Sequence, residues 1–137
     1  MLYLDASAVM KLVVEEPESA ALRELVELEA SRASSELLRA EIPRALRRRV
    51  WPDAPAEAPP LVGRGEQELA AMYLIAVTRS IVALAGTLEG PLLRALDAVH
   101  VATAVAYPAG LTAFVSYDDR QLEAADRAAL PVASPGR

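Results

Sequence analysis

The sequence predicts an α/β fold built on a parallel sheet with helices on both faces. Three observations lead there. Short apolar or branched runs alternate with helix-like segments along the chain, the pattern of successive βα units. The chain has 137 residues, 53% of them hydrophobic, with a mean hydropathy of +0.22, which fits one domain over residues 1–137 with a substantial core. Acidic residues fall where the strand-like runs end, as at Asp5 and Asp118, and sites in such sheets form beyond the carboxyl ends of strands.

Residues 2–5 read as a short buried strand, and Ala6 to Val14 as a helix with Ser7 near its start. Pro17-Glu18 opens a second helix, because proline suits the first helical turn. Leu22, Leu25, Val26 and Leu28 give it an apolar stripe. Ser31 to Ser34 makes a brief strand, and Ser35 is placed to cap a helix through Arg49. Pro43 lies inside that helix and removes the hydrogen bond to the Arg39 carbonyl. Pro52, Pro55, Pro59 and Pro60 mark a loop. A helix from about Gly65 to Thr78 and a branched, strand-like run from Ser80 to Ala85 follow. Pro91 begins a helix that carries Asp97 and His100 and ends near Pro108. Thr112 to Ser116 is a strand, Tyr117-Asp118-Asp119 a turn, Arg120 to Ala129 a helix, and Pro131 to Ala133 a last strand.

Composition removes whole classes of chemistry. There is no cysteine, so disulfides, zinc–thiolate sites and a cysteine nucleophile are excluded. His100 is the sole histidine, which excludes multi-histidine metal sites. The 14 basic residues comprise Lys11 and otherwise arginine, and no Gly-Lys-Ser/Thr step exists for a phosphate loop. The N-terminal segment lacks a basic region and a cleavage pattern. The longest apolar stretch, around Ala98 to Tyr107, is too short to cross a bilayer. A cytoplasmic protein is expected. The net charge of −5 argues against broad nucleic-acid binding, yet Arg44, Arg47, Arg48 and Arg49 form a local basic cluster. The high apolar content points to surface covered by a partner.

Asp5, Glu41, Asp97 and Asp118 are the candidate functional residues. Each also has a structural reading. Asp5 suits the N-cap of the first helix. Glu41 pairs readily with Arg44 three residues on. Asp118 suits a turn or cap, in competition with Asp119, which reads as a solvated surface acid. Asp97 is harder to explain away: its neighbours are mostly apolar, and burying a carboxylate there is costly unless something positive compensates it, a role open to Arg94. His100 reads as a satisfied core residue rather than a nucleophile or base. Carboxylates brought together repel or take up protons unless a cation intervenes. Magnesium accepts an all-oxygen set and suits phosphodiester hydrolysis.

Four segments occur in order: Tyr3-Leu4-Asp5-Ala6-Ser7-Ala8, Ser34-Ser35-Glu36-Leu37-Leu38-Arg39-Ala40-Glu41, Arg94-Ala95-Leu96-Asp97-Ala98-Val99-His100-Val101-Ala102 and Phe114-Val115-Ser116-Tyr117-Asp118. The series resembles the PIN-domain ribonucleases, most closely the VapC toxins of bacterial toxin–antitoxin pairs, across almost the full chain. The resemblance implies a three-layer α/β/α sandwich with a central parallel sheet. It implies Mg²⁺- or Mn²⁺-dependent endoribonuclease cleavage of structured RNA, transfer or ribosomal, with Asp5, Glu41, Asp97 and Asp118 holding the metal. Ser7 and Ser116 match small hydroxyl positions that orient the ligands. The implied partners are a second copy of the chain and a VapB-type antitoxin that blocks the acidic site. Arg44, Arg47 and Arg48, at helical spacing near Glu41, are placed either to contact RNA phosphates or to complement the helix end. The proline-rich stretch from Trp51 to Leu61 fits the resemblance less easily.

Other readings rank below this one. A haloacid dehalogenase-type phosphatase also begins strand-Asp but wants a second aspartate where Ser7 stands. A phospho-receiver module wants an early acidic pair and a late lysine. A PIN-like domain that has lost activity and only binds a partner would not need all four acids, which this chain keeps.

Overall fold

The structure is a computed structural model and describes residues 1–90 and 93–137. Five strands form one sheet: β1 (Leu2–Leu4), β2 (Arg32–Ser35), β3 (Tyr73–Ile75), β4 (Ala113–Val115) and β5 (Val132–Ala133). Their order is β3-β2-β1-β4-β5 and every pairing is parallel. The chain steps outward from β1 to β2 and β3, then returns to build β4 and β5 on the other side. The order therefore reverses between β1 and β4, where Leu4 lies opposite Val115.

Alternation along the central strands builds two cores, since successive side chains leave a strand on opposite faces. Leu2, Leu4, Ala113 and Val115 face a cluster built with α1 (Ala6–Val13), α2 (Ser19–Glu27), α3 (Leu38–Val50) and α4 (Ala58–Ala70). Tyr3 and Phe114 face the other way, against Val101 and Ala104 of α6 (Ala95–Ala106) and Ala124 and Ala125 of α7 (Asp119–Arg127). Tyr3 and Phe114 stack with ring centroids 5.2 Å apart. Each large side chain so buried stabilises the fold by about 1.5–3 kcal/mol. The result is the three-layer α/β/α sandwich. On the first face α3 and α4 pack closely at Gly65, where a Cβ would stand 2.9 Å from both Ile42 and Leu46. Among the described residues no helix is long and apolar enough to cross a membrane.

Pro43 sits within α3, which runs through it. Ser35 does not cap α3. It ends β2, and its Oγ instead accepts from the Leu37 amide at 3.3 Å in the turn that follows. The main corrections lie between residues 55 and 85. Pro55 begins a short 3₁₀ turn, and Pro59 and Pro60 stand in the first turn of α4 rather than in a loop. Their missing amides are ones that a helix start leaves unpaired anyway. The helix expected over Gly65–Thr78 thus starts earlier and ends at Ala70, leaving Tyr73–Ile75 as the edge strand β3. The run expected as a strand from Ser80 is helix α5 (Arg79–Ala85), capped by Thr78, whose Oγ1 accepts from the Ile81 amide at 3.3 Å. The helix start expected at Pro91 lies outside the described residues; α6 begins at Ala95.

Candidate metal centre

Asp5 leaves β1 at the point where strand order reverses, the place where open α/β sheets bind ligands. Its amide donates to the Val115 carbonyl at 3.1 Å, which pins it against the end of β4. Its side chain is fully buried and saturated with donors. Oδ1 accepts from Ser7 Oγ at 2.7 Å and from the Ala8 amide at 2.8 Å, the latter the N-cap bond of α1. Oδ2 accepts from Ser116 Oγ at 2.7 Å and from Gln121 Nε2 at 3.0 Å. Asp5 thus caps a helix and also faces the site. Burial pushes its carboxyl above the ordinary range, and the bonds from Ser7, Ala8 and Ser116 oppose that rise without cancelling it.

Gln121 joins the first acid to the third. The same Nε2 that serves Asp5 lies 3.3 Å from Asp97 Oδ1. Asp97 stands in the first turn of α6, on the opposite side of the sheet from α1. Among the described residues its second oxygen, Oδ2, is buried without a hydrogen-bond partner, as is Gln121 Oε1. Burial, then the charge of Asp118, pushes the Asp97 carboxyl upward; Arg120, His100 and Arg94 pull the other way. Arg94 acts on Asp97 only through this field.

Glu41 projects from the first turn of α3 and pairs with His100, not with Arg44. His100 Nε2 and Glu41 Oε2 are 2.7 Å apart. The carboxylate only accepts, so Nε2 carries a hydrogen; in the neutral ring Nδ1 then accepts from the Tyr3 hydroxyl at 3.0 Å. His100 is 1% exposed and belongs to the core, as a link from β1 through α6 to α3. Asp118 caps α7 by accepting from the Arg120 amide at 2.9 Å, and its Oδ2 receives Arg120 Nη2 at 2.7 Å. Those bonds hold its carboxyl below the usual range. Asp119 points outward, its side chain 82% exposed and paired with Arg137; Asp118, 26% exposed, is the acid that bears on Asp97.

The side chains therefore bring Asp5 and Asp97 together through Gln121, while Glu41 and Asp118 turn to His100 and Arg120. Among the described residues no three His, Cys, Asp or Glu groups converge closely enough to hold an ion. The donor chemistry nonetheless suits a hard divalent cation: every candidate donor is a carboxylate oxygen, and one of them, Asp97 Oδ2, is buried and unpartnered. Beside the acids lies an open cleft of about 860 Å³, lined in part by Glu41, Asp97, Arg44, Arg47 and Arg48. Gln121 and Arg120 were not singled out from the sequence. The available signal was position: Gln121 follows Asp118 by three residues and lies on the buried side of α7 with Ala124 and Ala125.

Residues 2–127 match the PIN domain family. The chain belongs to the PIN-domain family. Ribonuclease VapC46 of Mycobacterium tuberculosis is 40% identical over 134 residues, covering 98% of this chain and 97% of that protein, which places this PIN domain among the VapC proteins. Solved structures share the fold, among them the following two. A chain of VapBC2 from Rickettsia felis, crystallised with a DNA fragment from its promoter, aligns with a TM-score of 0.72 at 14% identity and covers 98% of this chain and 99% of that one. Mycobacterium tuberculosis VapC20, described as a sarcin–ricin loop cleaving toxin, aligns at 0.70 and 16% identity, over 98% of this chain and all of the other.

Proposed function

We propose that this PIN-domain protein is a metal-dependent endoribonuclease toxin that hydrolyses phosphodiester bonds in structured RNA, transfer or ribosomal. A VapB-type antitoxin would neutralise it. The reading includes a cytoplasmic location and a homodimer. The observation that carries it is the pairing of Asp5 and Asp97 at the switch point, bridged by Gln121, with one buried Asp97 oxygen unpartnered among the described residues. The relatives support it: VapC46 is named a ribonuclease, and VapC20, which shares the fold, is named a sarcin–ricin loop cleaving toxin.

Asp5, Asp97, Glu41 and Asp118 would hold a magnesium or manganese ion, which supplies Lewis acidity toward a phosphate oxygen and a bound water activated for attack. The chain's own work is positional. Ser7, Ser116 and the Ala8 amide fix both oxygens of Asp5, Gln121 sets Asp97, and His100 holds Glu41. The hydrogen bond that engages Glu41 and the ion pair that engages Asp118 favour the alternative of a silent partner-binding domain, and one assay separates the two. Purified protein is expected to cut RNA with Mg²⁺ or Mn²⁺, to stop in EDTA, and to lose cleavage as Asp5→Asn. Cleavage that persists in EDTA would refute the metal reading. No cleavage with either ion would favour the silent domain. Expression without the antitoxin is expected to arrest growth, and expression of Asp97→Asn is not.

A further inference from the structure

The cleft beside the carboxylates holds a group that the nuclease reading leaves unused. Trp51, the sole tryptophan, follows α3 directly and is 71% exposed. It lines the cleft that Glu41 and Asp97 also line, and Leu96, 51% exposed, lines it from α6. Arg44, Arg47, Arg48 and Arg94 line the same cleft, and none of the four takes part in an ion pair among the described residues. An aromatic ring left open to water beside unneutralised guanidinium groups has the composition of a single-strand nucleic-acid platform. The ring offers a face to a base of any sequence, and the arginines offer charge to the backbone. A base inside a duplex has both faces covered, so only an unpaired base can use the ring.

Resting on the nuclease reading, we propose that Trp51 stacks on an unpaired base of the RNA next to the cleaved phosphate, with Arg44, Arg47, Arg48 and Arg94 along its backbone. RNA is favoured over a protein segment because an exposed aromatic ring beside four arginines without ion pairs among the described residues matches a charged backbone that carries bases. A phosphate brought to the acidic end of the cleft, at Glu41 and Asp97, has its neighbouring nucleotides in the cleft with Trp51 and the arginines. Trp51 is then a positioning residue: it acts on binding and register, not on bond cleavage.

The test uses hairpin RNA with an unpaired uridine loop and the same hairpin with an abasic loop, each mixed with the full chain in Mg²⁺ in a stopped-flow fluorimeter. Trp51 is the only tryptophan, so emission excited at the red edge, beyond the absorption of the tyrosines, reports on this ring alone. The uridine loop is expected to quench emission before cleavage, and the abasic loop is not. Trp51→Ala is expected to raise KM about tenfold, within the range of base–aromatic stacking, with kcat little changed. Trp51→Phe is expected to recover most of the loss. Should Trp51→Ala fold poorly, the wild-type quenching and the Trp51→Phe kinetics still decide. Equal quenching by both hairpins, or an unchanged KM in Trp51→Ala, overturns the proposal. So does an unchanged KM with weakened antitoxin binding, which would make the ring a protein-docking site. Absence of cleavage by wild-type protein would defeat the nuclease reading instead.

Discussion

Replacing Asp97 with asparagine asks whether this acid is part of the fold or part of a cation site. The side chain keeps its shape and can still accept from Gln121, so the 3.3 Å contact survives. What disappears is a charge that burial and Asp118 both oppose and an oxygen with no partner among the described residues. In EDTA the variant is therefore expected to melt no lower than wild type. In Mg²⁺ the two should part. A cation present at about ten times its Kd stabilises the folded state by RT ln 11, roughly 1.4 kcal/mol. For a chain of 137 residues that is about 4–6 °C in Tm. Wild type should show that rise in a calorimetric or dye-based melt, and Asp97→Asn less than about a quarter of it. RNA cleavage should fall by more than the roughly 10–100-fold that loss of a ligand's supporting partner costs. An equal Mg²⁺ shift in both proteins would show that Asp97 does not hold the ion. A lower Tm in EDTA would show that the carboxylate is structural.

Ser116→Ala removes a donor to Asp5 Oδ2 and the acceptor of the Asp118 amide, so urea unfolding should show a loss of about 1–3 kcal/mol and cleavage should slow. Unchanged stability would show that water replaces the hydroxyl. Gln121→Leu keeps the bulk but frees Asp97 from Asp5; kcat should fall about 10–100-fold with a near-normal melting curve, and full activity would remove the bridge from the site. The raised Asp5 carboxyl gives a pH signature. Between the ordinary carboxylate value near 4 and its higher folded value, the folded state binds more protons. That contribution to stability is thus present at low pH and lost as pH rises through the folded value. In EDTA, ΔG from urea should carry this downward component, and Asp5→Asn should lack it; parallel pH curves for the two proteins would count against the buried ionisable Asp5.

The elements that were legible in the sequence are those whose signals come from burial on both sides or from strong capping. β1 and β4 are apolar runs because they sit at the centre of the sheet, α6 is an apolar stretch too long for a strand, and α7 follows the acid that caps it. The misread stretch lies at the sheet edge, where these signals fade. β3 is three residues long, with Tyr73 exposed, so no period can establish. α5 buries Ile81 and leaves Val82 in solvent, and its branched residues resemble a strand by composition. Thr78 as a cap was the better guide. The same contrast holds at the site. The order of the four acids is written in the chain, but their partners are not. His100 reaches Glu41 across 59 positions and Gln121 reaches Asp5 across 116, and only the folded topology creates those pairs.

A chain of net charge −5 that handles a polyanion needs its charges sorted in space. Screening confines each surface charge to about 10 Å at moderate salt, so the sum over the molecule matters less than the sum over the cleft. There four arginines face two carboxylates, Glu41 and Asp97, while Asp5 lies fully buried behind them. The cleft is locally basic in an acidic protein. Its arginines come mainly from the last two turns of α3, and its acids from the first turns of α3 and α6. That layout gives a strand a direction: backbone toward the guanidinium side, one phosphate toward the acids. The carboxylates still repel that phosphate, which is the physical reason for a cation between them. In this reading the metal and the arginines are complementary requirements, one for the cleaved phosphate and the other for its neighbours.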